Sequence, residues 1–175
     1  MSIKPLIKVA TLQTSSSKEI TALINTVYAV EEANVWEEGH LRVSEESITE
    51  SILNGEIITA HIKGDLVAAV QTKIIAEQTG WFGMLVVAQD YRKRGLAQQL
   101  YQVCENLMIG AGCKQMQCEV LIPERPVLPL KNVLKLWYGK LGYRKTSSCS
   151  VIDMYPKAKQ SLLMDCDLEI YTKSL

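Results

Sequence analysis

The chain has 175 residues, of which 47% are hydrophobic and 22% charged, with 19 basic and 19 acidic side chains. This size and composition are typical of one folded domain with a full core, and the zero formal net charge argues against a wide nucleic-acid-binding face. No apolar run approaches the roughly 20 residues that cross a bilayer, so we expect no integral membrane protein.

Cysteine usage and the start of the chain indicate a compartment. The five cysteines are odd in number, and no two of them have Cys-x-x-Cys spacing. Residues 1–5 carry no secretory hydrophobic region. We therefore expect reduced thiols in a cytoplasmic protein.

The first half of the chain predicts a strand, two helices and three further strands. Residues 6–12 are apolar and β-prone, and Ser16 with Glu19 has the spacing of a helix capping box. A second helix should begin after Ser44 and end near Asn54-Gly55. The three strands are predicted at 56–62, 66–75 and 81–87, the first two joined by a hairpin turn at Lys63-Gly64-Asp65.

The second half predicts two helices and three strands. A helix opens at Gly95 and ends at Gly110 and Gly112, and a short strand follows at 116–121. After a proline-rich loop, Asn132 should cap a helix that runs to Leu141. Two antiparallel strands are predicted at 145–152 and 162–171. The resulting order, β-α-α-β-β-β-α-β-α-β-β, indicates a single α/β domain with a mixed sheet, covering residues 1–175.

Residues 87–97 carry the clearest chemical signal. A buried strand ends there, a basic loop follows, and a helix begins at a glycine. The first turn of a helix has unpaired N–H groups that attract anions, and Gly95 lets a ligand approach that backbone. With Arg92, Lys93 and Arg94 around it, the segment predicts a phosphate or pyrophosphate site. The alternative is a solvated basic turn before an ordinary amphipathic helix.

Two motifs resemble those of the GNAT superfamily of N-acetyltransferases. Arg92-x-x-Gly95-x-Ala97 is similar to the family's Arg/Gln-x-x-Gly-x-Gly/Ala signature, which follows the fourth strand and opens the third helix. Residues 136–143, Leu-Trp-Tyr-Gly-Lys-Leu-Gly-Tyr, resemble the family's Leu-Tyr-x-x-Leu-Gly-Phe helix end. The resemblance implies the family's fold, a mixed and mostly antiparallel sheet that splays between strands 4 and 5, flanked by helices.

The same resemblance implies an activity. GNAT proteins move an acetyl group from acetyl-CoA to a primary amine of a small molecule or peptide, by direct attack in a ternary complex. A non-catalytic acyl-CoA-binding sensor or partner-binding module is the alternative. Homodimers are frequent in the family, so a dimer is a further expectation.

The resemblance also assigns a cofactor site. It implies that backbone amides around Arg94, Gly95, Leu96 and Ala97 hold the pyrophosphate, with Arg92 and Lys93 nearby. The strand backbone at Leu85 and Val87 should pair with the pantetheine arm. Lys131 stands where the family often has an asparagine, so Asn132 is carried over only as a helix cap and candidate cofactor contact.

Tyr138 and Glu119 are the candidate catalytic residues. The family uses a tyrosine at the position of Tyr138 as the general acid that protonates the departing thiolate; the alternative is a tyrosine that packs a helix end. Glu119 lies at the end of a short strand, where the family's sheet splays, and a carboxylate there can accept the amine proton. A solvent-facing strand glutamate is the alternative reading. His40 and His61 are weaker candidates for the base.

The acidic stretch between the first two helices is the candidate acceptor side. Glu32 and Trp36 belong to it, and acidic and aromatic groups attract a cationic amine. A charged, solvated surface is the alternative.

Neither histidine has metal-ligand partners at a suitable spacing, so we expect no metal.

Overall fold

The computed structural model describes residues 4–125 and 127–175. Residues 1–3, and Pro126 in the predicted proline-rich loop, lie outside the described residues. The strands are β1 Leu6–Val9, β2 Ile57–Ile62, β3 Asp65–Ala76, β4 Thr79–Val87, β5 Gln115–Pro123, β6 Arg144–Ser150 and β7 Cys166–Ser174. The helices are α1 Ser17–Glu31, α2 Glu45–Leu53, α3 Leu96–Gly110, α4 Pro129–Lys140 and α5 Val151–Met154, with 3-10 turns at Gln89–Tyr91 and Pro156–Gln160.

The strands form one mixed sheet that opens in its middle. Its order is β1-β2-β3-β4-β5-β7-β6, and every neighbouring pair is antiparallel except the parallel pair β4–β5. That pair joins residues only at Thr79–Gln115, Gly80–Met116 and Trp81–Gln117. Beyond Trp81 the two strands diverge, which confirms the predicted α/β fold and its splay between strands 4 and 5.

Local chemistry accounts for most element boundaries. The Ser16 hydroxyl accepts a hydrogen bond from the Glu19 amide at 3.2 Å, and Ser44 forms a reciprocal capping box with Ser47. At the β2–β3 hairpin, Lys63 and Gly64 both have positive φ, at 55° and 95°. Two positive φ values are what a tight type I′ turn requires, so the predicted hairpin is confirmed.

Several boundary predictions are wrong. Asn132 is not a cap, because α4 begins at Pro129, whose fixed φ and missing N–H suit the first helical position, and Asn132 lies exposed within the helix. The strand predicted at 145–152 ends at Ser150, since the chain turns into α5 and the 3-10 turn Pro156–Gln160. The last strand accordingly begins at Cys166 rather than at residue 162.

The sheet is covered on both faces. Successive residues of β2 enter different core clusters: Ile57 packs with α1 and α2, and Ile58 packs with α3. On β4, Met84 and Val86 belong to the α1–α2 side, while Leu85 and Val87 pack toward α3. This explains why the sequence of β4 is apolar on both faces. In the described part of the chain, no helix has the length and hydropathy to cross a membrane.

Glu169 on β7 ties α4 to the sheet. Its carboxylate accepts hydrogen bonds from Lys135 of α4, Lys145 of β6 and Tyr171, each at 2.8 Å. Burial alone would raise the pKa of Glu169, but these three donors outweigh it and lower the pKa from 4.5 to about 2. Because that pKa is depressed on folding, the stabilisation is present above pH 4.5 and is lost as the pH falls toward 2.

We therefore expect Glu169→Gln to lower the free energy of unfolding by about 1–2 kcal/mol at pH 7 and by clearly less at pH 3. Urea denaturation at the two pH values measures the difference. Asp167→Asn is the matched control, since Asp167 lies exposed on the same strand and forms no ion pair with another described residue. A loss for Glu169→Gln that does not change with pH would mean that packing, not the ion pairs, carries the effect.

Candidate functional site

The opening between β4 and β5 leads into a cavity of about 890 Å³. Its walls come from β4, β5, α1, α3 and α4, and from the short α5 segment after β6. Most of the predicted site residues line it: Glu32, Trp36, Leu85, Val87, Arg92, Lys93, Gly95, Leu96, Ala97, Glu119 and Tyr138. Arg94 and Asn132 are not among the lining residues. The sheet therefore brings together segments that are more than a hundred positions apart in the chain.

The helix α3 presents bare amides to one end of this cavity. Its N-cap is Gly95, which has a left-handed φ of 76° and offers no side chain to cap the helix. A Cβ at this position would meet only Gln99 at 3.9 Å, so the backbone conformation, rather than lack of space, requires glycine. Lys93 also has a positive φ, 59°, which turns the loop around the helix end. Uncapped amides at such a turn suit a phosphate or pyrophosphate.

The three cations of the loop have different surroundings. Arg92 donates to Glu31 of α1 at 2.6 Å and to the Val87 carbonyl at 3.2 Å, so it braces α1 against the end of β4. Arg94 donates to the Asp90 carbonyl at 2.8 Å and lies 5.1 Å from the Tyr91 ring centre. Lys93 is exposed, lines the cavity and makes no ion pair with a described residue. Lys93 is thus the cation left available to a bound anion.

A bulge on β4 shapes the middle of the cavity. The register with β3 shifts between Ala69–Val86 and Gln71–Gly83, and Met84 has a positive φ of 51°. An extra residue in one strand re-aims the backbone, and such bulges recur beside active sites. After Trp81 the edge of β4 has no partner in β5, so backbone groups there are available to an extended ligand. Leu85 and Val87 lie on this open stretch.

Tyr138 forms part of the cavity floor. It is only 6% exposed, and its ring packs against Phe82 at 5.8 Å and Tyr143 at 5.9 Å between ring centres. Its hydroxyl makes no hydrogen bond to another residue of the described ranges, unlike that of Tyr143, which lies 3.5 Å from the Tyr101 hydroxyl. Burial raises the pKa of Tyr138 well above 10. The phenol therefore stays protonated at neutral pH and keeps a proton to donate.

Glu119 is held in place by three donors. Its carboxylate accepts hydrogen bonds from Trp81 at 3.0 Å, from Gln117 at 3.1 Å and from the Tyr155 hydroxyl at 3.1 Å. Burial, with the negative charge of Glu119 beside it, raises the pKa of Tyr155 to about 12, so Tyr155 remains a donor. Tyr155 was not predicted as a site residue, because it lies in the segment between β6 and β7 where the sequence shows only an irregular connection.

Glu32 and Trp36 also line the cavity, where they form a polar cluster with Lys131. Glu32 is 2% exposed and accepts hydrogen bonds from Lys131 at 2.6 Å and from the Trp36 indole at 2.8 Å. Burial alone would raise the pKa of Glu32, but Lys131 and Arg42 outweigh it, so the pKa lies below its ordinary value. Because Glu32 is buried and the Lys131 ammonium neutralises its charge, Glu32 positions Trp36 and Lys131 rather than offering a negative charge to a ligand.

The two histidines are separated. His40 lines the cavity, and its ring stacks on Trp36 at 4.2 Å between centres; burial and then Arg42 lower its pKa. His61 lies outside the cavity, beside a smaller one near the start of the chain, and is thus removed from the candidates for the base. Among residues 4–125 and 127–175, no three His, Cys, Asp or Glu side chains cluster in a way that could hold a metal ion.

The fold is similar to several solved N-acetyltransferases. The PaiA N-acetyltransferase of Thermoplasma acidophilum, crystallised with coenzyme A, is 14% identical with a TM-score of 0.74, over 98% of this chain and 99% of that one. A ribosomal-protein-alanine N-acetyltransferase of Brucella melitensis is 16% identical with a TM-score of 0.66, covering 97% and 99%. N-acetylglutamate synthase of Neisseria gonorrhoeae, complexed with coenzyme A and N-acetylglutamate, is 16% identical with a TM-score of 0.68, covering 100% of this chain and 36% of that one.

These structural likenesses concern the fold, and no curated protein matches the chain. The assignment comes from the family model, which is described as the acetyltransferase (GNAT) family and matches residues 21–130. The match includes the strand β4, the basic loop and the helix α3, which present the uncapped amides to the cavity. The chain belongs to the acetyltransferase (GNAT) family.

Proposed function

We propose that the protein transfers an acetyl group from acetyl-CoA to a primary amine, by direct attack while both substrates are bound. The observation that carries the proposal is the single cavity that holds a bare helix end, an open strand edge, a buried phenol and a positioned carboxylate. Each of these groups has a role in acetyl transfer.

The cosubstrate is proposed to bind along α3 and β4. The amides of Leu96 and Ala97, with Lys93, suit its diphosphate, and the open edge of β4 around Leu85 and Val87 suits the amide groups of its pantetheine arm. When bound, acetyl-CoA supplies an acetyl group activated as a thioester. Arg92 acts indirectly in this proposal, because its bonds to Glu31 and Val87 hold the loop in place.

Tyr138 and Glu119 are proposed to move the two protons. As the new C–N bond forms, Glu119 accepts the proton that the amine must lose, directly or through one water. As the C–S bond breaks, the Tyr138 hydroxyl gives its proton to the departing sulfur, and it can do so because its pKa stays above neutral pH. The backbone of the β4 bulge is a source of N–H donors for the charge that develops on the thioester oxygen.

The free thiols support an intracellular setting. All five cysteines are unpaired, and Cys104, Cys113, Cys118 and Cys166 are buried. Thiols persist in this form in reducing compartments, so we propose that the protein works in the cytoplasm.

The first test is a direct one. Calorimetry on the purified protein should detect binding of both CoA and acetyl-CoA, and incubation with acetyl-CoA and an amine panel should release free CoA. Binding without turnover of any amine would favour a non-catalytic acyl-CoA sensor. A protein that binds neither molecule would rule out the proposed function.

We expect Lys93→Ala to raise the KM for acetyl-CoA by about 5- to 20-fold with little change in kcat. The reason is that Lys93 is the cation of the loop that lines the cavity without an ion pair to a described residue. Steady-state kinetics at low and high salt measures the effect, which should shrink as salt screens the charge. Lys114→Ala removes the same charge from an exposed position outside the cavity lining and serves as the control. Equal increases in KM for the two variants would contradict a specific contact at Lys93.

A further inference from the structure

The lining of the cavity has more cations than its carboxylates neutralise. Glu31 is paired with Arg92, and Glu32 is paired with Lys131. Arg42 lines the part of the cavity around Glu32 and Trp36, the proposed acceptor end, and Lys73 and Lys157 add exposed positive charge to the lining. Glu119 is the remaining carboxylate of the lining, and its hydrogen-bond donors are the neutral groups of Trp81, Gln117 and Tyr155.

Arg42 is a partly buried cation without a hydrogen-bond acceptor. Its side chain is 24% exposed, and its closest carboxylate oxygen, on Glu32, is 3.9 Å away, beyond hydrogen-bond distance. Its Nε atom is buried and has no partner, and no hydrogen bond between described residues involves its guanidinium. A guanidinium carries five donors, and leaving them unmade in a partly desolvated site is costly. The Arg42 guanidinium therefore lacks a hydrogen-bond acceptor, and a bound ligand can supply one.

The aromatic side chains around Arg42 cannot serve a cationic acceptor at the same time. The guanidinium lies 4.9 Å from the Tyr28 ring centre and 5.9 Å from that of Trp36. It thus occupies one face of each ring on which an alkylammonium group would otherwise stack, and His40 also stacks on Trp36. Since Glu32 is also neutralised from within, the acidic and aromatic features that predicted a cationic acceptor are used by the protein itself.

Arg42 and the candidate base face the same part of the cavity. The charge of Arg42 reaches the Tyr155 hydroxyl, where it opposes the rise in the pKa of Tyr155, and that hydroxyl donates to Glu119 at 3.1 Å. An anion on Arg42 would therefore lie on the acceptor side, near the carboxylate that takes the amine proton.

Resting on the proposed function, we infer that the acceptor is a small primary amine that also carries an oxyanion, and that Arg42 binds this oxyanion. A planar guanidinium matches a carboxylate or a phosphoryl group with paired hydrogen bonds. Arg42 then determines specificity: it selects amines by the anion that they carry and does not take part in proton transfer.

The test compares amines that differ only in the anion. Glycine, β-alanine and 4-aminobutyrate vary the spacing between amine and carboxylate, and methylamine, ethylamine and propylamine are their counterparts without the carboxylate. O-phosphoethanolamine distinguishes a phosphoryl group from a carboxylate, and putrescine represents a cationic acceptor. We expect at least one anionic amine to exceed its counterpart in kcat/KM by about 10- to 100-fold.

The variant Arg42→Gln should abolish this preference, with a loss of about 10- to 100-fold for the anionic amine and less than about 3-fold for the plain amines. Lys159→Gln removes the same charge from an exposed position outside the cavity lining and should keep the preference. Equal or better use of the plain amines or putrescine by the unaltered protein would overturn the inference while leaving the proposed function intact.

A binding measurement separates the two proposals. Calorimetry with each amine and the CoA-loaded protein reports an anion site even without turnover. If no amine is acetylated but the anionic amines bind in an Arg42-dependent way, the proposed function fails and the anion site stands. If the anionic amines neither bind nor react in an Arg42-dependent way, the inference is overturned.

Discussion

Replacing Tyr138 with phenylalanine is expected to lower kcat by about 10²- to 10³-fold while the Kd for acetyl-CoA changes by less than about 2-fold. The substitution removes one oxygen atom and leaves the ring that packs against Phe82. That oxygen makes no hydrogen bond to a described residue, so its loss should cost the fold little. Without it, the departing thiolate has to take its proton from water.

Tyr143→Phe is the matched control for this prediction. Tyr143 is 3% exposed, belongs to the same aromatic cluster, and does not line the cavity. Its hydroxyl faces that of Tyr101 at 3.5 Å, so its removal should affect stability by about 1 kcal/mol and kcat by less than about 3-fold. Stopped-flow or steady-state CoA release, with thermal unfolding on each variant, makes the comparison. Similar kcat losses in both variants would point to cluster packing instead of proton donation.

The sequence predicted those parts of the site that are determined by short, continuous segments of the chain. The strand-loop-helix of residues 87–97 needs only a buried strand, a basic turn and a glycine able to adopt a positive φ, and all three can be read locally. The hairpin at Lys63 and the helix caps at Ser16 and Ser44 follow from the same kind of local chemistry. The order of strands and helices then allowed the splayed sheet to be expected from the family resemblance.

The part of the cavity around Glu32 and Trp36 was not predictable in this way, because distant residues build it. Glu32 and Lys131 form a buried ion pair although they are 99 positions apart in the chain. Because the two charges neutralise each other, Glu32 does not offer the negative charge that the acidic stretch predicted. Trp81 reaches Glu119 from β4, and Tyr155 reaches it from the segment between β6 and β7. The bulge at Met84 could not be predicted from the sequence either, since methionine has no preference for a positive φ.

The exchange of Glu119 for glutamine is expected to reduce kcat/KM for the amine by about 10²-fold at pH 7. Glutamine keeps the size of the side chain but cannot accept the amine proton. The remaining activity should rise more steeply with pH than that of the unaltered protein, because solvent then has to deprotonate the amine before it attacks. A pH series of kcat/KM from pH 6 to 9 measures this change in slope.

Two further variants decide whether Glu119 acts as the base or only as part of a hydrogen-bonded cluster. Tyr155→Phe removes one of its three donors and should lower kcat/KM by less than about 10-fold without altering the shape of the pH profile. His40→Gln tests the other titratable group of the acceptor end, whose pKa is lowered by burial and Arg42. If Glu119→Gln retains more than about a third of the activity while His40→Gln loses most of it, the base is His40, because the imidazole is then the group that receives the proton.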